Sequence, residues 1–233
     1  MTHENPYAIH DDTIAAIYAP ADARAIFLQK TYSLMLAAVA VFGATLWAAG
    51  NIEPVRKMAE SLWNVSPWMS LILFIGGAMA VHALAGSRIG VFVFFGFAFL
   101  WGLISAPLIF YAAGTANGPA VISQAAIITA FIFLGLTAYV FKSGRDFAFL
   151  GGILFTLMIG MLGFAIAGWI FGFGVGIWYC YLGAAVFSGY ILYDTSNIMK
   201  RYPTTAHVSA AMVLFVDVIM LFKYLLIILM NRD

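Results

Sequence analysis

The sequence predicts an all-α membrane protein, a bundle of seven transmembrane helices. Three observations predict it. Hydrophobic residues make up 64% of the 233-residue chain and charged residues only 9%. A soluble domain carries about 25% charge, so this chain could not cover a water-facing surface. Seven apolar stretches reach the about 17–25 residues that a helix needs to cross a hydrocarbon core. The connectors between them are too short to hold a separate water-soluble domain.

The spans are expected near residues 31–50, 68–86, 89–111, 120–141, 148–171, 177–199 and 208–230. Residues 1–26 read as an N-terminal cytoplasmic tail and 27–233 as a single seven-helix transmembrane domain. The tail has four acids (Glu4, Asp11, Asp12, Asp22) and no short apolar core of the secretory type, so it is expected to be retained and loosely ordered. Between the second and third spans only Gly86-Ser87-Arg88 interrupts the apolar run. A turn is required there, because a single helix of that length would overshoot the bilayer. Residues 51–67 form the one loop of any size; Pro67, with Trp63 and Trp68, suits entry into the second span at the interface. Pro107 falls well inside the third span, where the missing N–H should kink the helix and make it a candidate gate.

Orientation follows from the lysines and arginines. With the N-terminus inside, Arg24, Lys30, Arg88, Lys142, Arg145, Lys200 and Arg201 collect on the cytoplasmic side, and Arg56, Lys57, Lys223 and Arg232 on the other. The chain is therefore expected to cross the membrane several times, with a cytoplasmic N-terminus and its C-terminus on the opposite side. The lipid bilayer is its first partner. A net charge of +1 with no basic tract argues against nucleic acid. The single Cys180 builds no disulfide framework or thiolate metal site. No nucleophile–base motif, metal-ligand spacing or phosphate loop appears, so neither enzyme nor cofactor is expected.

Function points to two aspartates. Of ten acidic residues, eight lie in tails or connectors; only Asp194 and Asp217 lie inside apolar runs. An ionised carboxylate there costs at least about 2.5–3.5 kcal/mol, so each needs a partner, a proton or water. Asp194 is six residues before Lys200 and Asp217 nine after Val208. At about 1.5 Å per residue they reach similar depth, about 9 and 13 Å from one short turn. If they face each other, the two cannot both ionise cheaply, and the pair would share a proton in one state and carry two charges in another. Doubly ionised, it would attract a cation. Calcium takes six to eight oxygens, so Asp194 and Asp217 alone would hold it weakly and transiently, as permeation requires. Tyr190, Tyr193, Thr195 and Ser196 are nearby candidates to complete the polar site. His82 could add a proton step. Arg88, on the same side as the pair, could serve as its counter-ion. Lys223 lies roughly 120° around the helix from Asp217 and is expected to snorkel outward.

These residues resemble the Bax inhibitor-1 family, also called the transmembrane Bax-inhibitor-motif family, in its bacterial branch. The resemblance covers most of the chain. Phe27-Leu28-Gln29-Lys30-Thr31-Tyr32 is similar to the family's entry into the first span, and Gly102 with Pro107 and Tyr111 to its third. The most specific match is Gly189-Tyr190-Ile191-Leu192-Tyr193-Asp194-Thr195, followed by Leu214-Phe215-Val216-Asp217 and Leu221-Phe222. The resemblance implies a seven-helix bundle with a central last helix. It also implies a pH-sensitive calcium leak controlled by two aspartates, here Asp194 and Asp217. A latch arginine is implied after the second helix, where Arg88 is the candidate. Met220 stands where the family usually has asparagine, and Lys223 is an unusual charge in that helix. Eukaryotic members are tied to cell-death control, and some bacterial members are linked to a membrane-bound protease.

Three functions are therefore in view. The first is a pH-sensitive calcium or cation leak channel of the inner membrane, gated by the proton-sharing pair. The alternative is a non-transport regulator that binds and modulates a membrane protease or another membrane partner. The third is a proton-coupled transporter of a small solute.

Overall fold

A computed structural model of the chain describes residues 14–63 and 67–232. Eight helices follow in order: α1 (Ala21–Asn51), α2 (Glu53–Trp63), α3 (Pro67–Leu84), α4 (Gly90–Ala113), α5 (Gly118–Ser143), α6 (Leu150–Phe171), α7 (Gly176–Lys200) and α8 (His207–Met230). Among the described residues no strand forms; the chain is a helical bundle.

Six of the helices (α1, α4, α5, α6, α7 and α8) are long and apolar enough to cross a membrane. That is one fewer than the seven expected. The helix that falls short is α3, whose described apolar run is Met69–Leu84. It begins at Pro67 and must stop at the Gly86-Ser87-Arg88 turn, where Ser87 N–H bonds Leu84 O at 2.9 Å and Gly90 N–H bonds Ser87 O at 3.1 Å. The turn is where the sequence demands it, and it ends α3 at Leu84. Large apolar side chains such as Phe92, Phe131, Phe155 and Trp178 stand exposed around the bundle. Patches of that kind have no place on a water-soluble monomer. This is a multi-pass membrane protein whose outer face meets lipid.

The last helix is the hub. α8 packs against α1, α3, α4, α5 and α7. Half of its membrane-crossing stretch is buried, against 17% of that of α6, which leans mainly on α7. Phe215 of α8, fully buried, meets the rings of Phe42, Phe94 and Phe97 edge-on at 5.8–6.3 Å, a favoured aromatic geometry. α7 can lie flat on α8 because Gly183 leaves room for Tyr224: a Cβ there would sit 2.6 Å from that ring. Small residues at such crossings let membrane helices approach closely.

Three segments depart from expectation. Residues 53–63, expected as loop, form the amphipathic α2. Val55, Ala59 and Leu62 recur at helical spacing and pack on Ala49, Leu103 and Ala106. Glu53, Arg56, Lys57 and Glu60 occupy the other face, and Lys57 pairs with Glu53 at 3.4 Å. Arg56 turns back to donate to the carbonyls of Ala49 and Gly50, closing the C-terminus of α1. Second, α1 starts at Ala21, ahead of both the expected span and the expected tail boundary. Its 31 residues reach about 46 Å, so the end bearing Asp22 and Arg24 extends past the hydrocarbon core. Third, part of the expected loose tail is docked. Ala16 is fully buried, its N–H bonds Tyr202 O at 2.8 Å, and Ala15 bridges Pro203. The interfacial roles expected of Trp63 and Trp68 fall on side chains outside the described set. So do Glu4, Asp11 and Asp12. Pro107 lies within α4, which runs on through it to Ala113.

Candidate functional site: a carboxylate pair in the α7–α8 hairpin

α7 and α8 are antiparallel neighbours joined by residues 201–206. That turn is tied by bonds from Arg201 N–H and Tyr202 N–H to Asn197 O (2.7 and 3.1 Å) and from Ala206 N–H to Pro203 O (3.0 Å). So short a connector keeps the two helices in register, and the depth argument holds: Asp194 and Asp217 line one cleft, close enough for each carboxyl to act on the other. Asp217 is 4% exposed, and no protein donor reaches its Oδ2. Asp194 is half-buried.

The cleft measures about 210 Å³, room for several waters or a partly hydrated ion. Its walls are apolar. Phe74 and Ala78 come from α3, Met158 from α6, Phe187 and Tyr190 from α7, and Met212, Val213 and Val216 from α8. Helical spacing accounts for most of them: Phe187 and Tyr190 lie seven and four residues before Asp194, and Met212, Val213 and Val216 lie five, four and one before Asp217. The α3 and α6 walls come from elements distant in sequence and had no local signal.

Of the polar groups considered from sequence, Tyr190 joins the pair in the cleft. Tyr193 does not line it; its ring is T-shaped to Tyr190 at 6.4 Å and presses on α6 at Gly151. Thr195 is buried away from the cleft lining. Ser196 serves another purpose, accepting from Phe147 N–H at 3.0 Å. His82 and Arg88 are exposed near the α3–α4 turn. Arg88 makes no ion pair with either aspartate, so the structure does not bring the candidate latch to the site. Pro107 is likewise outside the cleft lining. Lys223 departs from its expected outward course: its ammonium lies over the Trp101 ring of α4, 4.8 Å from the centroid.

One feature that sequence reading missed lies one to two turns beyond Asp194. The α5–α6 loop is clasped to the end of α7. Arg201 grips Asp146 with two bonds, 3.0 and 2.7 Å, and also donates to Asn197 Oδ1 at 3.0 Å. Lys200 donates to Gly144 O at 2.8 Å, where Gly144 closes α5 in the left-handed region at φ 59°. The Arg201 hydrogen bonds, and then the Ala148 N–H, hold the Asp146 carboxyl down at about 2. In the adjoining turn burial, and after it the charge of Asp194, push the Tyr202 phenol up to about 12. The clasp escaped notice because its partners are about 55 residues apart.

The sequence profile of the family described as "Inhibitor of apoptosis-promoting Bax1" matches residues 24–233. The chain belongs to this Bax inhibitor family. Full-length similarity agrees with the profile. The chain is 34% identical over 211 residues to an "Uncharacterized membrane protein" of Vibrio cholerae, covering 88% of this chain and 90% of the relative. It is 34% identical over 217 residues to Protein LIFEGUARD 4 of Arabidopsis thaliana, covering 86% and 82%. It is 30% identical over 223 residues to Bax inhibitor 1 of Schizosaccharomyces pombe, covering 88% and 76%. The matched region of this Bax inhibitor family member takes in the whole carboxylate hairpin and all eight helices except the first three residues of α1.

Proposed function

We propose that the protein is a pH-sensitive cation leak, passing calcium, in which the charge on the Asp194–Asp217 pair controls passage. The observation that carries this reading is the meeting of two carboxylates in one apolar cleft with no basic side chain among its walls. With one proton between them, the pair is held together and carries a single charge. When that proton leaves, two like charges occupy one low-dielectric site, repel each other and draw in a cation. Among the described residues no third His, Cys, Asp or Glu joins them to form a metal-holding cluster. Calcium therefore finds too few oxygens to be stored and enough charge to pass through.

The same proposal includes the topology. α3 is 18 residues long, about 27 Å, and contributes Phe74 and Ala78 to the cleft and a buried Val81 to the core. Those contacts favour α3 as the seventh crossing. The N-terminus then faces the cytoplasm and the C-terminus the periplasm of a bacterial inner membrane, in line with the lysine and arginine bias. Reporter fusions at residue 233 and in the α3–α4 turn test this; a cytoplasmic C-terminus overturns it.

The function is tested with purified protein in liposomes. Calcium flux is expected to rise as pH is raised, and the Asp194→Asn/Asp217→Asn double variant is expected to lose that dependence. Equal flux and equal pH response in the two proteins rejects the proposal.

A further inference from the structure

We propose that Lys223 is a selectivity-determining residue: a positive charge in mid-membrane that throttles cation passage and acts most strongly on divalent ions. This rests on the cation-leak reading above and names what limits it.

Placement is the first argument. Measured around α8 at 100° per residue, the cleft-lining Met212, Val213 and Val216 fall at about 140°, 40° and 100° on one side of Asp217. Lys223 falls at about 120° on that same side, between Val216 and Met212, and Met220 at about 60° fills the turn between. The stripe that lines the cleft thus continues through Met220 to Lys223. α8 is packed by helices on several sides, so an ion leaving the carboxylates along this stripe stays within the bundle and meets the lysine next.

Depth is the second. Trp101 is the twelfth of the 24 residues of α4, so a cation over its ring lies near the bilayer midplane. Helical side chains lean toward the N-terminus of their own helix, and Lys223 leans back toward the carboxylates. It does not reach for the interface.

Isolation is the third. Among the described residues no carboxylate pairs with Lys223. Its observed partner is the Trp101 face, which attracts a cation without neutralising it. Trp101 is held in turn by Phe74, a cleft wall, at a ring separation of 4.8 Å, and by Phe97, stacked at 6.4 Å. An aromatic partition carrying one positive charge therefore stands next to the carboxylate cleft. A repulsion that slows a monovalent cation about tenfold slows a divalent one by the square of that factor, because Coulomb energy scales with ionic charge.

The test measures calcium and sodium flux in the same liposomes for wild type, Lys223→Met, Lys223→Arg and the double aspartate variant. Lys223→Met keeps length and apolarity, and Lys223→Arg keeps the charge at every accessible pH. The expected result is that Lys223→Met raises calcium flux at least about tenfold and raises the calcium-to-sodium ratio, while Lys223→Arg stays within about twofold of wild type. Should Lys223→Met fail to fold, Lys223→Gln carries the same expectation. Wild-type flux that follows the aspartates but is unchanged by neutralising residue 223 overturns the throttle and leaves the leak standing. Equal gains in calcium and sodium flux also overturn it, since they indicate a steric plug. Absence of flux in every protein rejects the leak, and the throttle with it.

Discussion

Asp217 lies inside α8 and Asp146 in the α5–α6 loop clasped to the end of α7, and the fold treats them in opposite ways. Asp146, on an exposed loop, has an arginine gripping both oxygens and a backbone N–H besides. Asp217, 4% exposed in the central helix, is offered another acid. A pairing cation would have satisfied it, and Arg201 is available nearby, yet Arg201 is spent on the loop. On the proposed reading, the difference separates a structural carboxylate, whose charge is fixed, from one whose charge is left free to change. Tying down the loop with Arg201, Lys200 and Ser196 also keeps those cationic and hydroxyl groups out of the cleft.

The comparison can be broken first at the cleft. Asp217→Asn is expected to flatten the pH dependence of calcium flux, with a change of about tenfold or more at the most responsive pH, corresponding to about 1.4 kcal/mol of differential stabilisation. A full pH response in this variant would put the sensor elsewhere. Next in size is the packing that holds the hairpin shut. Gly183→Val places side-chain atoms against the Tyr224 ring and is expected to cost about 1–3 kcal/mol, read as a lower unfolding midpoint in detergent. If the midpoint does not move, α7 and α8 are less tightly apposed than described.

The clasp should behave differently. Replacing Asp146 and Arg201 together by Asn and Gln is expected to lower stability by about 1 kcal/mol or less, because the pair is half-exposed and screened by solvent, and to leave the midpoint of the flux response unmoved. A shifted midpoint would make the clasp part of the sensor. The smallest effect concerns pH itself. The Asp146 carboxyl is held below its ordinary 3.8, at about 2. Its contribution is therefore fully present above about 4 and fades only as pH falls toward 2. Between pH 5 and 8 the Arg201 contact should stay formed, as followed by the NMR shift of the Asp146 carboxyl carbon; loss within that window would contradict the assignment.

Much of this was legible in the sequence, for identifiable reasons. Six spans follow from apolar length alone. The meeting of Asp194 and Asp217 follows from equal distance to one short turn, since an antiparallel hairpin turns sequence distance into depth. What was not legible depended on competition between environments. α2 was hidden because Glu53, Arg56, Lys57 and Glu60 make its overall composition look like a loop, though Val55, Ala59 and Leu62 show the helical period. The docking of Ala16 on Tyr202 and the grip of Arg201 on Asp146 join remote segments and leave no local pattern. Arg88 is expected as the counter-ion from the lysine and arginine bias, but it stands exposed at the α3–α4 turn and pairs with neither aspartate. Lys223 looked like a residue bound for the interface, and the Trp101 face gave it a nearer place.

The account's central claim is that Asp194 and Asp217 act as one titrating unit, and a double-mutant cycle on calcium flux against pH tests it most directly. Each single asparagine variant is predicted to abolish the pH response nearly as completely as the double variant, since removing either partner removes the shared proton. Single variants that each keep a separate pH response, with effects that simply add in the double, would show two independent acids and contradict it.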